Sequence, residues 1–239
     1  MRKYVYDSYD SLSRAAAMIF AEQLHAKPDS VFGLATGSTP LGLYSALAGM
    51  YARGEVDFSR ASSYNLDEYY PISRKNEQSY YYFMHNNLFD LINMPTENIH
   101  LPNGEAEDAA RECAGYEALV RKAGVDLQLL GLGNNGHIGF NEPGGILELA
   151  THKTALTEST IEANARFFDS PGDVPRYALT MGMGTIMSAK AIIVLASGAA
   201  KAPVLRAMFS GKLDPQCPAT LLSLHPNVTV LAAKEADAG

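Results

Sequence analysis

Cysteine is scarce in this chain of 239 residues: Cys113 and Cys217 are the only two, and they stand in no CxxC or metal-type spacing. A redox or zinc motif of that kind is excluded, and so little cysteine fits a reducing compartment. Basic charge is also short, with 19 Lys and Arg against 26 Asp and Glu and a net charge of −7. No basic stripe is available to neutralise a nucleic-acid backbone, so no nucleic-acid partner is expected. An anionic small substrate stays open, because a few local cations suffice for one phosphate. No apolar run approaches the ~20 residues that span a bilayer, so no membrane segment is expected. The opening MRKYVYDSYDSL has basic residues but no apolar stretch behind them. It reads as no signal peptide, and the expected location is the cytoplasm.

Hydrophobic residues make up 47% and charged residues 19%, the balance of a globular chain able to bury one substantial core. A single domain over 1–239 is expected. Leu12, Ala16, Ile19, Phe20 and Leu24 share one face of a helix over 11–26. Apolar strands are read at 31–35, 61–66, 125–131, 191–197 and 228–233, with helices at 40–53 and 105–123. Ala109, Cys113, Tyr116 and Val120 stand in register on the apolar face of the last helix, and Gly124 is its stop. Apolar strands separated by helices imply a Rossmann-like α/β fold: a largely parallel sheet with helices on both faces. Ligands of such sheets bind beyond the carboxyl ends of the strands. The polar motifs of this chain each follow a strand directly.

Four motifs carry chemistry. After the first buried strand comes LATGSTPLGLY, in which Gly37 permits a tight turn, Thr39 suits a helix cap and Pro40 the first helical position. The free amides there would attract a phosphate, although a capped turn without ligand has the same pattern. SGAAKA puts Lys201 near a helix start, where a bound anion would offset the unfavourable dipole; a solvated lysine is the alternative. Arg166, in ANARFFDS, adds a fork suited to phosphate. SYNLDEYYPI sets Asp67 and Glu68 at a strand end, where a partly buried carboxylate can act as a base on C–H. A turn-capping Asp beside a solvated Glu fits the same residues.

The fourth motif is GLGNNGHIGFNEPGG, Gly131 to Gly145. Gly131, Gly133 and Gly136 imitate a dinucleotide loop, but His follows them and no acidic residue closes a strand ~20 residues on. The segment offers His137 and Glu142 with Asn135 and Asn141 around them. A carboxylate beside an imidazole makes a general acid/base unit. One His and one Glu are too few for a metal site, and a structural histidine is the remaining alternative.

Taken together, LATGSTPLGLY, NLDEYYPI, NEQSYYYFM, LGLGNNGHIGFNEPG, ANARFFD, YALTMGMGTIMSAKAIIVLASGAAKA and LHP resemble the glucosamine-6-phosphate deaminase (isomerase) family, from about Val31 to about Pro226. The resemblance implies conversion of glucosamine 6-phosphate and water into fructose 6-phosphate and ammonia, with no redox cofactor and no metal. It implies that His137, with Glu142 and Asn135, opens the sugar ring and that Asp67 moves the C2 proton to C1. It also places the phosphate on Thr36, Gly37, Ser38 and Thr39, with Arg166 and Lys201 as cations.

Longer family members carry Asp at the position of Asn135, and this chain resembles the shorter ones with Asn. Where longer members have an Arg and a Lys for a second, allosteric phosphate, GILELATHKTAL has only Lys153. No activation by N-acetylglucosamine 6-phosphate is expected, and a monomer is favoured over a homo-oligomer. A lid is expected around 155–180. The rival readings are a galactosamine-6-phosphate deaminase, a 6-phosphogluconolactonase, which lacks FNEP, and a non-catalytic sugar-phosphate sensor, against which the intact Asp67, His137 and Glu142 stand.

Overall fold

The structure of the chain, a computed structural model, describes residues 1–158, 161 and 174–237. Seven strands form one parallel sheet in the order β1 (Arg2–Tyr6), β10 (Val228–Ala233), β9 (Ala191–Ala196), β6 (Leu127–Leu130), β2 (Val31–Leu34), β3 (Ser62–Asn65) and β5 (Ile99–His100). The central strands β2, β6 and β9 are buried almost throughout, the mark of a sheet covered on both faces. Alternation of side chains sends Phe32 to one face and Tyr64, in register with Gly33, to the other. Phe32 stacks on Phe20 of α1 (Tyr9–Ala26) at 5.0 Å, and Tyr64 meets Tyr116 of α4 (Ala109–Ala123) at 6.2 Å. The α/β fold expected from the apolar pattern is therefore the fold observed.

Local chemistry explains the helix bounds. A capping box between Ser8 and Ser11 opens α1, whose buried Leu12, Ala16, Phe20 and Leu24 recur every four residues. Asp108 caps α4 by accepting from the amides of Ala110 and Arg111, so this helix begins four residues later than the periodicity suggested. At the amino ends of the strands, Asp126 accepts from Lys27, Lys190 and the Val31 amide, clamping the starts of β2, β6 and β9.

The strand order locates the ligand crevice. From β2 the chain winds outward to β3 and β5, then returns to β6 on the other side of β2 and continues to β9 and β10. The loops leaving β2 and β6 therefore diverge, and the crevice between them is the switch point at which open α/β sheets bind ligands.

A second sheet was not foreseen. β4 (Asp67–Tyr70), β8 (Tyr177–Thr180) and β7 (His152–Ala155) form a three-stranded antiparallel unit. Leu66 joins the two sheets: its amide bonds to Leu34 of β2, and its carbonyl receives the Met181 amide just after β8. Glu117 of α4 ties the same seam by accepting from the Thr151 amide, both the Thr151 and Thr185 hydroxyls, and Arg121.

Candidate active site

Asp67 is the first residue beyond the seam, so the backbone delivers it to the carboxyl end of the parallel sheet. It opens a strand instead of following one, because the chain after β3 finds a new partner in β8. Asp67 is 6% exposed and Glu68 is 2% exposed, so the solvated Glu of the alternative sequence reading is not found. Burial, reinforced by the Glu68 charge, pushes the Asp67 carboxyl up to about 8. Burial also raises Glu68, to about 7, although three backbone amides, of Tyr80, Tyr81 and Tyr69, donate to it and pull the other way. Two of those amides open α3 (Tyr80–Asn87), so Glu68 fastens that helix to β4.

The segment after β6 folds back against Asp67. Ile138 and Asn141 close a turn, and Gly139 inside it has φ +58°. A Cβ on Gly139 would lie 3.3 Å from Asp67 Oδ2 and 3.0 Å from Thr180 Oγ1, which leaves no comfortable room for a side chain. Thr180, the antiparallel partner of Asp67, takes the Phe140 amide at 3.2 Å. Phe140 stacks on Tyr80 at 6.2 Å and leans on Tyr69 at 5.9 Å. Asn141 donates both amide hydrogens, to the carbonyls of Ile138 and Met181 at 2.8 Å each. The loop is thus packed and hydrogen-bonded into place beside the buried carboxyl.

His137 and Glu142 flank this turn and converge as the sequence suggested. His137 Nδ1 stands 3.5 Å from Glu142 Oε2. Asn135 bridges them, donating from Nδ2 to Glu142 Oε2 at 2.8 Å and accepting the His137 amide on Oδ1 at 3.1 Å. An acid/base pair held by a neutral amide results, open to the crevice on the imidazole side.

The loop after β2 forms the opposite wall. Gly37 has φ +95°, and Gly37 and Ser38 are exposed to a ligand. The helix α2 (Leu41–Ala52) has Pro40 in the cap position, and the Thr39 side chain does not cap it. Tyr9 does that work: its hydroxyl accepts the Gly42 amide at 2.8 Å and sits against the carbonyls of Ser38 and Thr39. A tyrosine some 30 residues upstream gave no local signal of this role. Tyr80, for which the sequence offers no local signal, is partly buried and its hydroxyl hydrogen-bonds with Thr36 and Tyr69, linking the loop to the Asp67 neighbourhood.

Lys201 is the last residue before the helix Ala202–Met208 and reaches Asn134 Oδ1 at 2.6 Å. Arg166 lies outside the described residues. The ends of the expected lid are anchored, since Ala155 closes β7, Tyr177 opens β8 and the Leu156 amide bonds to Arg176. Of the span between them, 159, 160 and 162–173 lie outside the described residues. Among the described residues no group of three or more His, Cys, Asp or Glu side chains is arranged to hold a metal, and no helix is long and apolar enough to cross a membrane. The remaining histidines include His225, whose ring accepts from the Asn227 amide and donates to Ala189, an anchoring role within the fold.

Fold and site together define a doubly wound α/β protein with a buried carboxyl and a His–Glu pair gathered at its switch point. The chain belongs to the family of glucosamine-6-phosphate isomerases and 6-phosphogluconolactonases, whose model matches residues 7–231. It is 52% identical to a glucosamine-6-phosphate deaminase of Alkaliphilus metalliredigens over 99% of this chain and 98% of that one. Identity to the deaminase of Clostridium perfringens is 53% with the same coverage. The solved structure of a monomeric glucosamine-6-phosphate deaminase superposes with a TM-score of 0.96 at 43% identity, covering 99% of this chain and 98% of that one. A 6-phosphogluconolactonase of Thermotoga maritima, at 21% identity and a TM-score of 0.77 over 98% of this chain and 99% of that one, shares the fold.

Proposed function

We propose that this chain is a glucosamine-6-phosphate deaminase, converting glucosamine 6-phosphate and water into fructose 6-phosphate and ammonia. The observation that carries the reading is the buried Asp67 carboxyl lying against the turn that holds His137 and Glu142. Ring opening needs a group that takes the proton of the C1 hydroxyl and returns one to the ring oxygen. His137, backed by Glu142 and Asn135, is such a group at the mouth of the crevice. The open-chain aldehyde makes the C2 proton acidic, and Asp67 removes it and redelivers it to C1. The imine left at C2 then adds water and loses ammonia. A carboxyl whose proton affinity is raised by burial is a stronger base than an exposed one, which suits abstraction from carbon.

The loop Thr36, Gly37, Ser38 and Thr39, exposed at its two central residues, provides amides for the substrate phosphate, with Lys201 and Arg166 as the cations. Identity of 52% and 53% to deaminases, against 21% to a lactonase, favours deamination over lactone hydrolysis. The same comparison supports a monomer, since the relative with TM-score 0.96 is described as monomeric. We infer one domain acting in the cytoplasm without a redox cofactor or metal. Activation by N-acetylglucosamine 6-phosphate is not expected, because the segment GILELATHKTAL offers Lys153 but no Arg for a second phosphate; Lys153 itself lies over the rings of Tyr70 and Tyr177, at 4.9 and 4.0 Å.

The direct test is incubation with glucosamine 6-phosphate, following ammonia and fructose 6-phosphate. Equal release of both is the expected result. Hydrolysis of 6-phosphogluconolactone with no ammonia from the amino sugar would overturn the assignment.

A further inference from the structure

The turn Gly133–Gly136, closed by the Gly136 amide on the Gly133 carbonyl at 3.1 Å, carries two asparagines with different partners. Asn135 holds Glu142 and the His137 amide, as described. Asn134 accepts Lys201 Nζ at 2.6 Å from a segment that follows β9, more than 60 residues away. Both asparagines are exposed, so the pair faces solvent at the rim of the crevice. The choice of partner for Lys201 is informative. Among the described residues no carboxylate pairs with it, and its ammonium is partly desolvated, which lowers its proton affinity. An amide oxygen holds a lysine in place but leaves its full charge available, whereas a carboxylate would cancel it.

We propose that Asn134 is a positioning residue that holds the Lys201 ammonium in register with the His137–Glu142 pair, so that capture of the phosphate places the sugar ring against the ring-opening groups. The inference rests on the deaminase reading and extends it to a residue outside the catalytic set. A four-residue turn is short enough that movement of Asn134 is felt at Asn135, and through it at Glu142 and His137. The phosphate end and the ring-opening end of the site are thereby one mechanical unit.

If Asn134 acts through Lys201, the two residues must be strongly coupled. Four proteins are compared: wild type, Asn134→Ala, Lys201→Met and the double variant. KM for glucosamine 6-phosphate and the dissociation constant of inorganic phosphate are measured for each. Asn134→Ala is expected to raise both by roughly tenfold, the weight of one charged hydrogen bond. In the Lys201→Met background the same change is expected to move them less than about twofold. Asn135→Ala provides contrast, its loss falling on kcat with phosphate binding retained.

Equal fold-changes in both backgrounds, or no change in the wild-type background, overturn the proposal, as does an absence of phosphate binding to the wild-type protein. If Asn134→Ala does not fold, wild-type protein labelled with nitrogen-15 decides the matter. The side-chain amide signals of Asn134 and Asn135 should shift together as phosphate is titrated, and an Asn134 signal unmoved at saturation refutes the coupling. Phosphate binding is read without turnover, so failure of the deaminase assay with the coupling intact removes only the reading of the substrate.

Discussion

Asp67→Asn should abolish turnover and yet stabilise the protein at alkaline pH. The unfolded chain releases the Asp67 proton near its ordinary value of 3.8, whereas the folded chain, having buried the carboxyl beside Glu68, holds it to about 8. Between those values the folded state binds one proton more than the unfolded state, so stability falls as pH rises through the window. Each pH unit costs about 1.4 kcal/mol, which gives on the order of 5 kcal/mol at the upper end as a limit. Asn keeps the shape and carries no charge, so it escapes this cost. Thermal unfolding at pH 9 should show Asp67→Asn more stable by about 3 kcal/mol, or roughly 6–12 °C in Tm for a chain of this size. Below about pH 3 the gap should close, because Asp67 is then protonated in both states.

The groups facing Asp67 electrostatically are Glu68 and the tyrosines that report its charge, Tyr44, Tyr69, Tyr80 and Tyr116. Burial raises these phenols above their usual range, so they stay protonated across the assay window and Glu68 is the coupled titration to reckon with. The activity of the wild-type enzyme follows from the same proton. At pH 7 about one-tenth of Asp67 is ionised in the free protein, so kcat/KM should climb with pH and level off above about pH 8. An acid limb at pH 4–5, or an Asp67→Asn variant that loses stability equally at pH 4 and pH 9, would refute the burial argument.

Two further perturbations test the scaffold. Burial works to raise the Glu117 carboxyl, but hydrogen bonds from Thr185, Arg121 and Thr151 outweigh it and hold the group at about 2. Glu117→Ala should cost about 2 kcal/mol at pH 7 in urea unfolding, and the deficit should fade as pH falls from 4.5 towards 2, because the lowered carboxyl stabilises only while ionised. Gly136 has φ +84°, and a Cβ there would stand 2.4 Å from Cys217 Sγ and 3.2 Å from Cys217 Cα. Gly136→Ala should therefore cost about 2–3 kcal/mol and lower kcat, as backbone strain and displacement of Cys217 shift the His137 loop. Adding Cys217→Ala should restore part of the loss, and a kcat unchanged in Gly136→Ala would show that the loop does not need this geometry.

How much of this was legible in the sequence depends on the range of the interaction. The strands VFGLA, AIIVLAS and VTVLAA announce themselves because a parallel strand buried on both faces must be apolar throughout. The His137–Glu142 pair was visible because five residues of irregular glycine-rich loop can bring two side chains together without help from elsewhere. What was hidden is long-range. DEYY reads as loop after a strand, and only pairing with YALT, more than a hundred residues later, makes it β4. Glu68 looked solvated because nothing local marks the amides of Tyr80 and Tyr81 as its partners. Thr39 looked like a helix cap because its competitor, Tyr9, sits on α1.

The same distinction explains why the site stands where it does. A glycine-rich loop and a TGSTP turn are each compatible with many sheets, and neither alone fixes a crevice. The reversal of winding between β2 and β6 does, because two loops that leave adjacent strands in opposite directions cannot pack on each other and must leave a gap. Asp67 reaches that gap because β3 leaves the parallel sheet one residue beyond Asn65, at Leu66, and continues as β4 along β8. Lengthening the Leu66 junction by one residue would turn Asp67 away, since each step along a strand reverses the side chain. The order of strands thus opens the crevice, and the seam between the two sheets supplies its carboxyl.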